Sequence, residues 1–271
     1  MKLIKKIFDF YINASIHVAL AVVAFTYITC LCFKYSLDLK LAVVIFCSTV
    51  TGYNFVKYAG IAKLHHRSLT RNLKFIQLFS FFTFIFFLWF LTYCSWRELA
   101  LLAIISLLTT AYAIPFLPKK KNLRAVKGLK IFVIALVWTL TTVVLPLIDS
   151  IAIDIKQIYY FSLHRFILIL ILLIPFEVRD IDYDDIQLKT LPQLLGVKFS
   201  KVLGVCLVLI QLYLVIEFSL DYDLFVLSLI SIILMYAILA SNLVKSFYFA
   251  SFCVESIPIL WYLVMYINRL I

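Results

Sequence analysis

Five carboxylates, Glu177, Asp180, Asp182, Asp184 and Asp185, stand within nine residues of a chain that holds only fourteen Asp and Glu in all. The residues around them are almost entirely hydrocarbon. Ionisable groups that close to a bilayer are costly and mark a functional site by default. Asp180 and Asp184 are four apart, so a helix would carry both on one face. Paired carboxylates are the usual means of holding Mg²⁺ against a phosphate-bearing substrate. Arg179 and Lys189 flank the pair and could assist with a phosphate. A solvated interfacial loop, with its acids balanced by Arg179, Lys189 and Lys198, is the plainer reading of the same charges.

The order of residues is more specific than an acidic loop requires. Arg179-Asp180-x-x-x-Asp184 is followed by Lys189-Thr190-Leu191-Pro192 and Leu195-Gly196. This resembles the second aspartate-rich motif of the UbiA superfamily of intramembrane prenyltransferases. Ala111-Tyr112-Ala113-Ile114-Pro115, the run Lys119–Lys121, and Lys127-Gly128-Leu129-Lys130 entering Ile131–Trp138 look like that family's loop between helices 4 and 5. The resemblance implies nine helices around a central cavity. It also implies that Asp180 and Asp184 bind Mg²⁺ and the diphosphate of a polyprenyl donor.

The family's first motif, at the end of helix 2, is degenerate. Its nearest match is Asn54, with Tyr58 and Ala62 where aspartates belong. No carboxylate occurs anywhere from residue 39 to 97. Lys57, Lys63 and Arg67 stand there instead and could pair with a phosphate directly. They equally suit an ordinary basic loop on the cytoplasmic side. Asn54 is expected as a polar ligand or a supporting group. Losing that cluster should remove or weaken one metal, because ionising an allylic diphosphate requires neutralisation of the departing charge.

Glu255 is a further candidate for catalysis, since a carboxylate inside an apolar run faces the bundle interior or a wet cavity. An interfacial position near a helix end is the alternative. His17 and Asn13 read as hydrogen-bonded structure, and His65-His66 has no companion ligand motif. The six cysteines lie in or beside apolar runs without a CxxC pair, as buried free thiols do.

The elements that must position these groups are membrane helices. The chain is 65% hydrophobic and 14% charged, with mean hydropathy +1.08. One soluble core of 271 residues cannot hide that excess. Apolar runs predict nine spans over 13–33, 41–56, 75–94, 99–117, 131–148, 158–175, 202–218, 224–240 and 247–267. The fold class is therefore all-α and polytopic, as one integral domain over 1–271. The first apolar run reads as a retained helix, not a signal peptide.

The net charge of +11 does not indicate nucleic acid, because the basic residues lie in alternate loops. With the N-terminus inside, 19 of the 25 Lys and Arg fall on the cytoplasmic side, and Lys34, Lys40, Arg97, Lys156, Arg165 and Arg269 fall on the other. The positive-inside rule then puts the C-terminus outside, in what reads as a bacterial inner membrane.

These features predict a divergent prenyltransferase moving a polyprenyl chain to a lipophilic or aromatic acceptor, with membrane lipid as its surroundings. The alternatives are a non-catalytic lipid-binding or scaffolding relative, and a small-solute transporter. The last would call for broken helices and internal symmetry at mid-membrane, which the sequence does not display.

Overall fold

A computed structural model describes residues 2–63, 71–115, 122–184, 188–244, 246 and 248–270. Ten α-helices account for nearly all of them: α1 (Lys2–Asn13), α2 (Ile16–Cys32), α3 (Leu39–Lys63), α4 (Arg71–Leu91), α5 (Trp96–Ala113), α6 (Lys130–Leu147), α7 (Ile155–Arg179), α8 (Leu191–Glu217), α9 (Leu224–Ala240) and α10 (Ile257–Leu270). Two π-helical stretches interrupt the pattern. One, Leu140–Val144, lies inside α6; the other, Phe249–Val254, leads into α10. Among the described residues seven helical segments are long and apolar enough to cross a bilayer, and the bent pair α1/α2 makes an eighth. The 17-residue α9 matches the predicted 224–240 span and brings the bundle to the expected nine.

The helices form a closed ring. α2 packs on α3, α3 on α4 and α5, α5 on α6, and α6 on α7. From there α7 packs on α8, α8 on α9, α9 on α10, and α10 returns to α2. Val18, Phe25, Ile28, Trp138, Ile171, Ile230, Leu234 and Trp261 belong to one continuous buried cluster at the centre. By contrast α4 turns Phe81, Phe82, Phe86 and Trp89 outward, where hydrocarbon is the solvent.

Three details differ from the sequence-based reading. First, the residues before the first predicted span are helical. The chain bends by 54° between α1 and α2, with Ser15 in the left-handed region at φ 61°. α1 is strongly amphipathic, as a helix lying at the membrane surface is. Second, α7 continues past Pro175 to Arg179. Neighbouring helices make an interior proline tolerable in a bundle, so the acids begin on the last helical turn. Third, Arg165 is not in an outer loop. It is fully buried, 4.1 Å from the centroid of the Phe25 ring, and donates to Thr29 Oγ1 at 3.1 Å. The aromatic face compensates part of the cost of a buried guanidinium.

Candidate functional site

The acidic stretch is a turn locked at both ends. Asp180 N donates to Phe176 O at 2.9 Å, and Asp184 N donates to Asp180 O at 2.8 Å. On the far side Thr190 caps α8. Its N–H donates to Gln193 Oε1 at 3.0 Å, while Gln193 Nε2 donates to the carbonyl of Asp184 at 3.0 Å. The reciprocal capping box therefore fixes both the start of α8 and the end of the acidic turn.

Each carboxylate aimed inward from this turn and from the end of α7 meets a side-chain cation. Lys130, the first residue of α6, bridges Asp184 Oδ2 at 2.7 Å and Glu177 Oε1 at 2.9 Å. Arg124 lies 3.9 Å from the other Asp184 oxygen. Arg179 is bidentate on its neighbour, with Nε 2.7 Å from Asp180 Oδ1 and NH2 3.1 Å from Oδ2. Its third nitrogen donates to Ser251 Oγ at 2.7 Å, which ties α7 to the π-helical turn before α10.

Beside this network lies a cavity of about 160 Å³ into which Lys130, Glu177, Asp180 and Glu255 look. Lys57, Arg179 and Glu255 are within electrostatic reach of one another. The predicted residues Asp180, Arg179, Glu255 and Lys57 thus converge, and Asp184 joins them through Lys130.

The rest do not converge. Asn54 is buried and its amide is spent on the α1/α2 elbow. Its Oδ1 accepts from Ser15 Oγ at 2.8 Å, and its Nδ2 donates to Ala14 O at 3.0 Å and Ser80 Oγ at 2.7 Å. Tyr58 follows suit, donating to Asn13 O at 3.0 Å. Asn54 and Tyr58 thus form a structural clasp on the elbow. Lys57 leans on the same clasp, donating to Ser15 Oγ at 3.0 Å. Lys189 is exposed, in the left-handed region at φ 47° just before the cap of α8, away from the cavity. Lys63 ends α3, but its side chain lies outside the described residues, as do Arg67 and Asp185. His17 is structural as expected, accepting from or donating to Tyr11 Oη at 2.7 Å and stacking on Phe252.

The sequence reading named Glu177 among the acids, and Lys130 and Trp138 within a loop-and-helix motif, without assigning any of them a role in the site, and it missed Tyr53. Lys130 stood among loop lysines that share its charge. Glu177 was legible in principle, because Glu177, Asp180 and Asp184 repeat at helical spacing.

Tyr53 and Trp138 line both the charged cavity and a second one of about 410 Å³, bordered mainly by α3, α4, α5 and α6. This larger cavity is apolar in character. Thr49, Thr109 and Thr141 line it, and each turns its hydroxyl back to a carbonyl of its own helix, at 2.7, 2.9 and 2.8 Å. Thr51 is an exception, with a buried hydroxyl that has no partner.

The described donor set does not fit a resident Mg²⁺. Lys130 already occupies the position between Glu177 and Asp184 that a bridging cation would take, and Arg179 covers both oxygens of Asp180. Among the described residues no three His, Cys, Asp or Glu side chains gather closely enough to hold a metal ion.

No protein-family profile matches the chain, and no curated protein matches it in sequence. Its fold does match a solved one, the apo structure of a UbiA homolog from Aeropyrum pernix K1. The TM-score is 0.66 at 14% sequence identity, over 94% of this chain and 98% of that one. The ring of helices and the acidic turn after α7 therefore belong to an integral, multi-pass membrane protein of UbiA-like fold.

Proposed function

We propose that the chain binds a prenyl diphosphate and transfers its prenyl group to a lipophilic or aromatic acceptor in the membrane. One observation carries this reading: a charged cavity and a larger apolar cavity share a wall, as an amphiphile with a phosphate head and a hydrocarbon tail requires. The head lies against Lys130, Arg179 and Lys57. The bond between the first prenyl carbon and the diphosphate oxygen breaks, and these three cations offset the charge that departs with the oxygen. The acceptor forms its bond to that carbon and gives up a proton, for which Glu255 is the placed carboxylate. The basic loops, including the one that carries Arg124, face the cytoplasm of a bacterial cell. This puts the charged cavity at the inner leaflet, with the N-terminus inside and the C-terminus outside.

A second reading, binding without transfer, has its own support. Asp180 and Asp184 are neutralised within the protein, and ion pairs already satisfied can serve retention of a lipid as well as its reaction. The two separate on one measurement. Protein in lipid nanodiscs is given geranylgeranyl diphosphate and quinone precursors, with and without a chelator, and released pyrophosphate is followed. Transfer predicts release that depends on Glu255 and is lost in Glu255→Gln. Retention of the diphosphate with no pyrophosphate released would leave the binding reading alone.

A further inference from the structure

The wall between the two cavities is thin and specific. Tyr53, Ile134 and Trp138 line both. Trp138 Nε1 donates to Tyr53 Oη at 2.7 Å, with the rings edge to face, 6.4 Å apart at 74°. We propose that this hydrogen-bonded pair is a door that sorts ligands by chain length. The inference rests on the prenyl-binding reading above and adds the residues that set its specificity.

The geometry shows why the pair is a door and not a fixed partition. Trp138 has a firm back: its ring meets Phe25 edge to face at 6.2 Å, and Phe25 is wholly buried beneath the Arg165 guanidinium. Tyr53 is the leaf held to it by the single Nε1–Oη hydrogen bond. It follows Gly52, whose missing side chain leaves room for a methyl at ordinary contact distance, 3.7 Å from Thr109 Cγ2. Two residues beyond Trp138 the backbone of α6 goes π-helical from Leu140 to Val144. Such stretches interrupt the regular ladder and recur at functional positions.

The chemistry of the two chambers fixes what passes. The smaller one offers charge on one side and Ile169, Leu172 and Leu173 on the other, so it takes a phosphate and the first part of a chain. The larger one turns methyl groups inward and spends most of its threonine hydroxyls elsewhere, so it takes hydrocarbon and gives little to a polar acceptor. A short prenyl chain ends before the door. A long one gains the apolar chamber only by parting Trp138 from Tyr53, and forfeits that hydrogen bond.

The test compares geranyl and geranylgeranyl monophosphate, which share a head and differ in length, as ligands of the nanodisc-embedded protein. Wild type should bind the longer one more tightly. Tyr53→Phe keeps the ring and removes the acceptor, so the door no longer costs a bond to open. A net hydrogen bond of about 1 kcal/mol corresponds to roughly a fivefold gain in affinity for the long chain. The ratio of long-chain to short-chain affinity should rise by that factor. Trp138→Phe removes the donor and should reproduce the pattern from the other leaf, which guards against a folding artefact in either variant. Binding of both lipids with equal responses to the substitutions would overturn the door and leave the prenyl-binding reading intact. Failure of wild type to bind either lipid would overturn both.

Discussion

The two sides of the charged cavity are built in opposite ways. On the α7 side, Glu177, Asp180 and Asp184 face cations at 2.7 to 2.9 Å, and Glu177 and Asp180 line the cavity. On the α3 side, Asn54 and Tyr58 are consumed by the elbow between α1 and α2, and only Lys57 reaches toward Glu255. One side is an ion-pair network that can exchange partners. The other spends Asn54 and Tyr58 on scaffold and keeps Lys57 as its charge.

The largest effect should come from removing the central cation of the network. Lys130→Ala leaves Glu177 and Asp184 facing each other, at 4% and 8% side-chain exposure, with no ammonium between them. Breaking a buried pair from one side costs about 3–5 kcal/mol. Thermal unfolding in nanodiscs should show a large fall in midpoint, and adding Glu177→Gln should recover much of it by removing one of the stranded charges. No recovery would mean that Lys130 acts through packing and not through charge.

Asn54 on the α3 side should respond less, and only in stability. Asn54→Ala strands Ser15 and the carbonyl of Ala14 at the elbow, a loss of about 1–3 kcal/mol for buried groups left unsatisfied. If Asn54 serves only the clasp, the stability change should come with unaltered affinity for prenyl phosphate per folded molecule. A selective loss of affinity would return Asn54 to the ligand face and undo the contrast between the two sides.

This contrast explains what could be read in advance. Most span positions came through because hydrophobic length in a bilayer is set by its thickness, and α9 fell where the run 224–240 put it, whereas α8 begins at Leu191, well before the predicted run 202–218. Arg179 beside Asp180 and the Thr190–Gln193 cap are products of consecutive residues and so were legible locally. Partners distant in sequence were not. Lys130 reaches Asp184 across 54 residues, and Tyr53 meets Trp138 across 85. No periodicity in either segment reports such a pairing. Arg165 was misplaced for a related reason: its neighbours are apolar, and only the three-dimensional fold brings Phe25 beneath it. Asn54 was read by its position in a motif, whereas its role follows from a bend forty residues earlier in the chain.

Metal sensitivity distinguishes the sides further. With Arg179 on both oxygens of Asp180, Mg²⁺ alone should leave the unfolding midpoint of wild type unchanged at concentrations that saturate a functional site. Arg179→Gln exposes Asp180 and should create a Mg²⁺-dependent rise, since a ligand for the native state stabilises by mass action. A clear shift in wild type, abolished by Asp180→Asn, would show that the carboxylates take the metal in preference to their side-chain partners, and the network would then be a resting state of a metal site.

The smallest effect should come from the rim. Arg124 stands 3.9 Å from Asp184 Oδ1 and is 44% exposed, while Lys130 on the same carboxylate is 13% exposed and 2.7 Å away. An exposed pair at that distance is worth about 0–1 kcal/mol and is screened by salt. Arg124→Ala should therefore lower the unfolding midpoint slightly at low ionic strength and not measurably at high, whereas the penalty for Lys130→Ala should persist in salt because its charges are shielded from solvent. If the two substitutions lost their effects in parallel as salt rose, the network would be solvated throughout, and the cavity beside it would be no drier than the loop that covers it.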